Sequence, residues 1–324
     1  MRGARLLLVI LIVVLPGCTD ARNIPALRVA AHVWPGYELM FMAEREGWFD
    51  AAAVELRRTG SASESMDLLR KGTVEAAALT YDEALRLKAE GLALRVVLVF
   101  NVSSGADMVL GRGDVQHIGS LPQRRVGVEQ SALGALMLTK ALRAGGLGLD
   151  DVHVVPLTVD LHLDAWRRGE VDALVTFEPV ASALLAEGAT KLFDSSAIPD
   201  TIHDVLVVRE EALAKRVVSA AMGELVAAHL RGVSHLRTNP VDAGFRLAVT
   251  LGGDGAAALR AYQGLVLPDA NANRRLLDPA NTHLETVAAQ LFEVMTSIGL
   301  IDAVPDVRAI ATPDYLPGAS ARRP

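Results

Sequence analysis

Asp67-Leu-Leu-Arg-Lys-Gly72-Thr-Val74-Glu75-Ala76 returns as Asp164-Ala-Trp-Arg-Arg-Gly169-Glu-Val171-Asp172-Ala173, 97 positions later (169 − 72 = 97). At the same separation Arg28-Val29-Ala30 returns as Arg125-Val126-Gly127, and Leu39-Met40 as Leu136-Met137. One constant offset over three segments marks an internal duplication. Each copy reads as strand, helix, strand, helix, strand. In the first copy the strands are Leu27 to Val33, Val54 to Arg58 and Val74 to Leu79. A helix near Tyr37–Glu46 stops at Gly47, a residue suited to a left-handed C-cap. Ser61 and Ser63 offer N-cap hydroxyls before a helix that ends at Gly72. In the second copy Arg125–Val128, Val152–Val155 and Val171–Thr176 are the strands, and Ser131 caps a helix ending at Gly145-Gly146. Strands alternating with amphipathic helices predict parallel sheets with helices on both faces, hence an α/β fold of two doubly wound lobes.

Two further apolar runs, Val96 to Leu110 and Ile202 to Val208, are expected to cross between the lobes. The predicted division is 27–104 with 206–324 in one lobe and 105–205 in the other. From about Glu210 the chain reads as mainly helical, and Leu316 to Pro324 as a loose tail.

Residues 1–18 read differently. A basic start, Met1-Arg-Gly-Ala-Arg5, precedes an apolar run from Leu6 to Leu15, then Pro16-Gly17-Cys18. This is export-signal anatomy; the run is too short to span a bilayer, which takes about 20 residues. Leu15-Pro16-Gly17-Cys18 resembles a lipoprotein lipobox, with Pro16 departing from the usual small or β-branched residue. Cys18 would then be lipidated and become the mature N-terminus, which places the protein in the periplasm or on the cell surface, anchored to membrane. Cys18 is the only cysteine, so an internal disulfide framework and a thiolate-cluster metal site are excluded. A net charge of −6 gives no basis for nucleic-acid binding.

The mature chain resembles the substrate-binding proteins of nitrate-, taurine- and sulfonate-type ABC importers, which have the type II periplasmic-binding architecture. The resemblance runs through Gly36-Tyr37, Ala43-Glu-Arg-Glu-Gly47-Trp-Phe49, Gly60-Ser61, Leu69 to Ala76, Ser103-Ser-Gly-Ala-Asp107 and Val126-Gly-Val-Glu129. It continues in Gly169 to Ala173, Phe177-Glu178-Pro179, Asp204 to Arg209 and Asn239-Pro240. It implies a monomeric two-lobed clamp that delivers a small solute to an ABC permease and its ATPase. No cofactor and no metal are expected: HExxH is missing, and neither His153/His162 nor His229/His235 has one-face spacing.

In open α/β sheets ligands bind beyond the C-terminal ends of the strands. The loops there supply Trp34, Tyr37, Ser61, Ser63, Thr80 and Tyr81 from the first lobe, and Glu129, Ser131, Asp160, Phe177 and Glu178 from the second. Trp34 and Tyr37 could sandwich an apolar or cationic group. Ser61, Ser63 and Ser131 stand at helix starts, where backbone N–H groups hold anions or the hydroxyl simply caps. Glu129, Asp160 and Glu178 would repel one another in a partly dry cleft unless a cation arrives. The expected solute is therefore amine-bearing or zwitterionic, either taurine-like or a heterocyclic vitamin precursor. Arg57 and Arg58 are the residual route to an anion. Ser103, Asp107, His203 and Asp204 sit at the crossings and are expected to brace the hinge. The same fold also hosts enzymes. No G-x-S-x-G or paired nucleophile is visible, so an enzyme acting on a small heterocycle and a ligand-sensing domain are the alternatives to a binding protein.

Overall fold

The computed structural model describes residues 26–318; Cys18 and the signal lie outside them. The described residues form eleven strands and twelve α-helices. The strands are β1 (Leu27–Ala31), β2 (Val54–Arg58), β3 (Ala76–Thr80), β4 (Leu94–Ser103), β5 (Asp107–Gly111), β6 (Arg125–Val128), β7 (His153–Pro156), β8 (Ala173–Phe177), β9 (Thr190–Asp194), β10 (His203–Arg209) and β11 (Leu265–Val266). The helices are α1 (Pro35–Arg45), α2 (Ala62–Arg70), α3 (Tyr81–Ala89), α4 (Ala132–Ala144), α5 (His162–Arg167), α6 (Val180–Ala186), α7 (Glu210–Leu213), α8 (Arg216–Thr238), α9 (Pro240–Leu251), α10 (Gly255–Arg260), α11 (Ala270–Leu276) and α12 (His283–Ser297). Among the described residues no helix is long and apolar enough to cross a membrane.

The strands form two sheets, ordered β11-β4-β10-β3-β1-β2 and β7-β6-β8-β5-β9. The duplication is visible in their register. Val29 and Ala30 of β1 face Ala76 and Ala77 of β3, and 97 positions on Val126 and Gly127 of β6 face Ala173 and Leu174 of β8. The expected all-parallel sheets are corrected, because the crossing strands run against their neighbours. β10 is antiparallel to β3, with Asp204 opposite Thr80; β5 is antiparallel to β8, with Asp107 opposite Phe177. A strand arriving from the other sheet enters at the cleft end, where the parallel strands finish, so it pairs antiparallel with them.

Sequence dictates the helix starts. Ser61 caps α2 by accepting from the N–H of Glu64, and Ser131 caps α4 by accepting from that of Gly134. Two glycines permit close approaches. A Cβ on Gly36 would stand 1.9 Å from Asn101 Oδ1, and one on Gly134 would stand 2.1 Å from the carbonyl oxygen of Glu129. The largest apolar cluster draws on both sheets, with Leu27, Val29, Leu79, Leu98, Val99 and Val207 fully buried, and two smaller clusters lie beside it. The tail reading is corrected in part. Leu316 is buried, and the carbonyl of Pro317 accepts from Arg274 Nη2 at 2.7 Å, so the chain is held as far as Pro317.

Candidate functional site

Between the C-terminal ends of the two parallel strand sets lies a cavity lined by eleven residues, among them Glu83, Asp107, Glu129 and Asp204. Eight of the eleven fall into four pairs separated by 97 positions (129 − 32 = 97): His32 with Glu129, Trp34 with Ser131, Thr80 with Phe177, and Asp107 with Asp204. Each half of the duplicated chain thus contributes the same strand ends to one cavity. It holds about 290 Å3 of empty space, between walls supplied by both halves of the chain. Contacts across the gap hold these walls together. Glu129, after β6, accepts from Ser63 N–H at 3.2 Å and from Ser63 Oγ at 2.8 Å, at the start of α2.

The acids are costly where they stand. Burial pushes the Asp107 carboxyl up to about 7, and its Oδ2 has no partner. Burial, then the nearby charges of Asp82 and Glu129, drive Glu83 well above the usual carboxylate range. Its Oε2 accepts from Thr80 N–H at 3.0 Å while Oε1 is unpartnered. Burial also raises Glu129 and, well above its usual range, Asp204. Asp204 is the best supported of the four. It accepts from Tyr37 Oη at 2.5 Å and Asn101 Nδ2 at 2.6 Å, and Asn101 Oδ1 in turn accepts from Trp34 Nε1 at 3.0 Å. Just behind the wall, burial lifts Asp82 to about 6. Opposite sits an aromatic wall. Trp34 and Phe177 pack edge to face with centroids 5.5 Å apart, and His32 lies 5.6 Å from Phe177. Burial lowers His32 to about 4, so this imidazole is neutral at ordinary pH. Among the described residues lining the cavity, no Lys or Arg is found.

Of the residues expected from sequence, Trp34, Thr80, Glu129, Ser131 and Phe177 line the cavity. The others are placed differently. Tyr37 is fully buried and points its hydroxyl at Asp204, behind the wall. Tyr81 is buried with its hydroxyl unpartnered and does not line the cavity. Ser61 is a helix cap, and Ser63 is the partner of Glu129. Asp160 is exposed at the rim, facing Gly60, where an added Cβ would lie 3.7 Å from its Cγ. Glu178 is turned away from the cavity and accepts from Ser182 N–H at 3.1 Å and Oγ at 2.8 Å. Arg58 offers no route to an anion, since both its terminal nitrogens are committed to buried Glu38 at 2.6 and 2.7 Å. Asp107 and Asp204, expected to brace the hinge, stand in the cavity wall; Ser103, at the first crossing, has its Oγ 2.8 Å from Ser195 Oγ. His203 lies buried at the second crossing, away from the cavity.

Sequence reading missed His32, Glu83 and Asn101. Carrying the 97-position offset back from Glu129 would have found His32. Asn101 is found only through the contacts the fold creates.

The profile of the family described as NMT1-like matches residues 20–244. No curated protein matches the chain. Among solved structures, the periplasmic aliphatic sulphonate-binding protein SsuA of Escherichia coli is similar at TM-score 0.70 and 18% identity, covering 90% of this chain and 99% of that one. The alkanesulfonate-binding SsuA of Xanthomonas axonopodis pv. citri, bound to MOPS, is similar at TM-score 0.69 and 16% identity, covering 87% and 96%. The desulfurization enzyme DSZB is similar at TM-score 0.62 and 20% identity, covering 90% and 98%. The chain therefore has the two-sheet α/β fold of periplasmic binding proteins, a fold that carries both transport and catalysis.

Proposed function

The chain belongs to the NMT1-like family, and from that membership and the chemistry of the cavity we propose that it is an extracytoplasmic solute-binding protein of an ABC importer, specific for a small cationic, amine-bearing solute. The observation that carries this reading is the convergence of Glu83, Asp107, Glu129 and Asp204 on one cavity that no lysine or arginine lines among the described residues. Buried carboxyls so placed must either hold protons or meet a cation. A protonated amine entering the cavity supplies the missing charge and the donors that Glu83 Oε1 and Asp107 Oδ2 lack. Trp34 and Phe177 present faces and edges on which an apolar or cationic ring can rest.

The zwitterionic variant of this reading loses ground. An anionic end would have to sit at the start of α2 or α4. At α2 Glu129 already takes the free N–H of Ser63, and at both helices the serine hydroxyl is spent on capping. A heterocyclic amine therefore fits better than an amino-sulfonate. The binding role is favoured over catalysis because no serine or threonine hydroxyl lining the cavity is hydrogen-bonded to a histidine among the described residues. In this reading Cys18 carries the lipid anchor, the lobes divide at 104/105 and 205/206, and the Glu129–Ser63 contact is the latch that opens for solute.

A thermal-shift screen of the purified protein tests it. A ligand at about 100 times its Kd adds roughly 2.7 kcal/mol, enough to raise Tm by a few degrees in a protein of this size. Heterocyclic and primary amines are expected to shift Tm. If only nitrate or alkanesulfonates do so, the reading is wrong.

A further inference from the structure

Away from the cavity, three side chains meet at the second crossing. They are Asp200 in the loop before β10, His203 at the start of that strand, and His283 at the start of α12. His203 Nε2 lies 3.3 Å from Asp200 Oδ1, His283 Nε2 lies 3.4 Å from Asp200 Oδ2, and the two Nε2 atoms are 3.4 Å apart.

These separations do not suit hydrogen bonding. Good N–H···O bonds run about 2.7–3.2 Å, and a neutral imidazole has one N–H to give. Every edge of this triangle is longer than that range. Two imidazole nitrogens and the two oxygens of one carboxylate thus stand close together without a good hydrogen bond among them. Four donors set tetrahedrally at about 2.0–2.1 Å from a zinc ion would stand roughly 3.3–3.4 Å apart. That is the observed nitrogen–nitrogen edge. Each oxygen of Asp200 faces one imidazole, so the carboxylate completes the face through both oxygens, or through one after a small turn.

We propose that Asp200, His203 and His283 form a binding site for a divalent transition metal of the zinc class, with three protein donors and the fourth position open to solvent. Two imidazoles and one carboxylate suit Zn2+ and its neighbours rather than Mg2+ or Ca2+, which prefer all-oxygen sites. The site is asymmetric in exposure. His203 is wholly buried, while the side chains of His283 and Asp200 are 29% and 58% exposed, which leaves an entry path on their side. Asp200 holds a left-handed backbone (φ 57), a conformation that aspartate adopts more readily than most non-glycine residues. Asn281 Oδ1 accepts from the backbone N–H of His283 at 3.0 Å and so fixes the start of α12. A metal here would tie the segment returning from the second sheet to the C-terminal helix. The site shares no residue with the cavity and does not depend on what the cavity binds.

The test is titration of the EDTA-stripped, dialysed protein with Co2+ and then Zn2+, followed by visible absorption. The expected result is one Co2+ per chain with the intense bands of a four-coordinate site, displaced by Zn2+. Affinity should fall about 100-fold or more in each of His283→Ala and Asp200→Asn, two substitutions at solvent-accessible positions that spare the core. Absence of four-coordinate bands, or metal binding that survives both substitutions, overturns the proposal.

Discussion

At the start of β1, Arg28 donates from its backbone N–H, Nε and Nη2 to the carboxylate of Glu75, at 2.8, 3.0 and 2.6 Å. At the start of β6, Arg125 makes the same three bonds to Asp172, at 2.9, 3.1 and 2.8 Å. The bases of the two copies are thus built alike, down to the donor atoms. Their tips are not. His32 corresponds to Glu129, Trp34 to Ser131, and Thr80 to Phe177, and of the four pairs only Asp107 and Asp204 keep one residue type. The base of each sheet is scaffold, where an arginine fork anchors the first strand to the third. The tips are where the halves have diverged, and divergence there makes one asymmetric site from two similar units. The first copy brings the indole and the neutral imidazole, the second the phenyl ring and the latch carboxylate.

The strongest way to break this comparison is at the aspartates the copies share. Asp107→Asn and Asp204→Asn should each weaken binding of a cationic solute by about 30-fold or more, since removing one partner of a buried charge pair costs roughly 2 kcal/mol at the least. Their effects on the ligand-free protein should differ. Asp107→Asn removes an unpartnered buried carboxyl and should raise Tm, whereas Asp204→Asn replaces by a donor one of the two oxygens that accept from Tyr37 Oη and Asn101 Nδ2 and should lower it. Isothermal titration and thermal melts read both. Equal stability changes would show that Asp204 is not held by Asn101 as described.

A smaller effect separates Gly36 from its counterpart Leu133 (133 − 36 = 97). Gly36→Ala drives a methyl into Asn101 Oδ1 and should cost about 1–3 kcal/mol by denaturant unfolding. It should also disturb the Trp34–Asn101 bond, visible as a change in tryptophan fluorescence. A neutral Gly36→Ala variant would mean that this turn relaxes freely. The smallest effect concerns the scaffold. Arg28→Met should cost roughly 1–2 kcal/mol and Arg125→Met less, because Arg28 and Glu75 are 30% and 14% exposed against 46% and 22% for the second pair. The reverse order would contradict the exposure argument.

Much of this framework was legible in the chain. β2 and β6 occupy the residues that the apolar patterning predicts, and the serine caps of α2 and α4 are where the hydroxyls suggested. β3 and β8 begin two residues after the apolar runs at Val74 and Val171. Those valines are buried by packing before ladder pairing starts, and periodicity reads burial rather than hydrogen bonds. The antiparallel crossing strands were not legible, since nothing local in Ile202 to Val208 records the direction of its neighbours. The site divided along the same line. Strand-end residues close in sequence to a motif, such as Trp34 and Glu129, could be named. Glu178 could not be placed, because its choice of Ser182 over the cavity is decided one helical turn away. His203 and His283 are 80 positions apart, and only the return of α12 to the crossing brings them together.

The central claim is that the cavity takes a positive charge, and proton linkage tests it most directly. With its pKa raised to about 7, Asp107 contributes stability that is fully present below its unfolded value, near 4, and is lost as pH rises through 7. Asp82 behaves likewise around 6. In the same window the ionised carboxylates become able to hold a cation. Calorimetric titration of the best amine at about pH 6, in buffers of different ionisation enthalpy, should show protons released on binding, and affinity should rise from pH 5 to pH 8. Proton uptake on binding, with affinity falling over that range, would mean that the cavity binds an anion and would contradict the account.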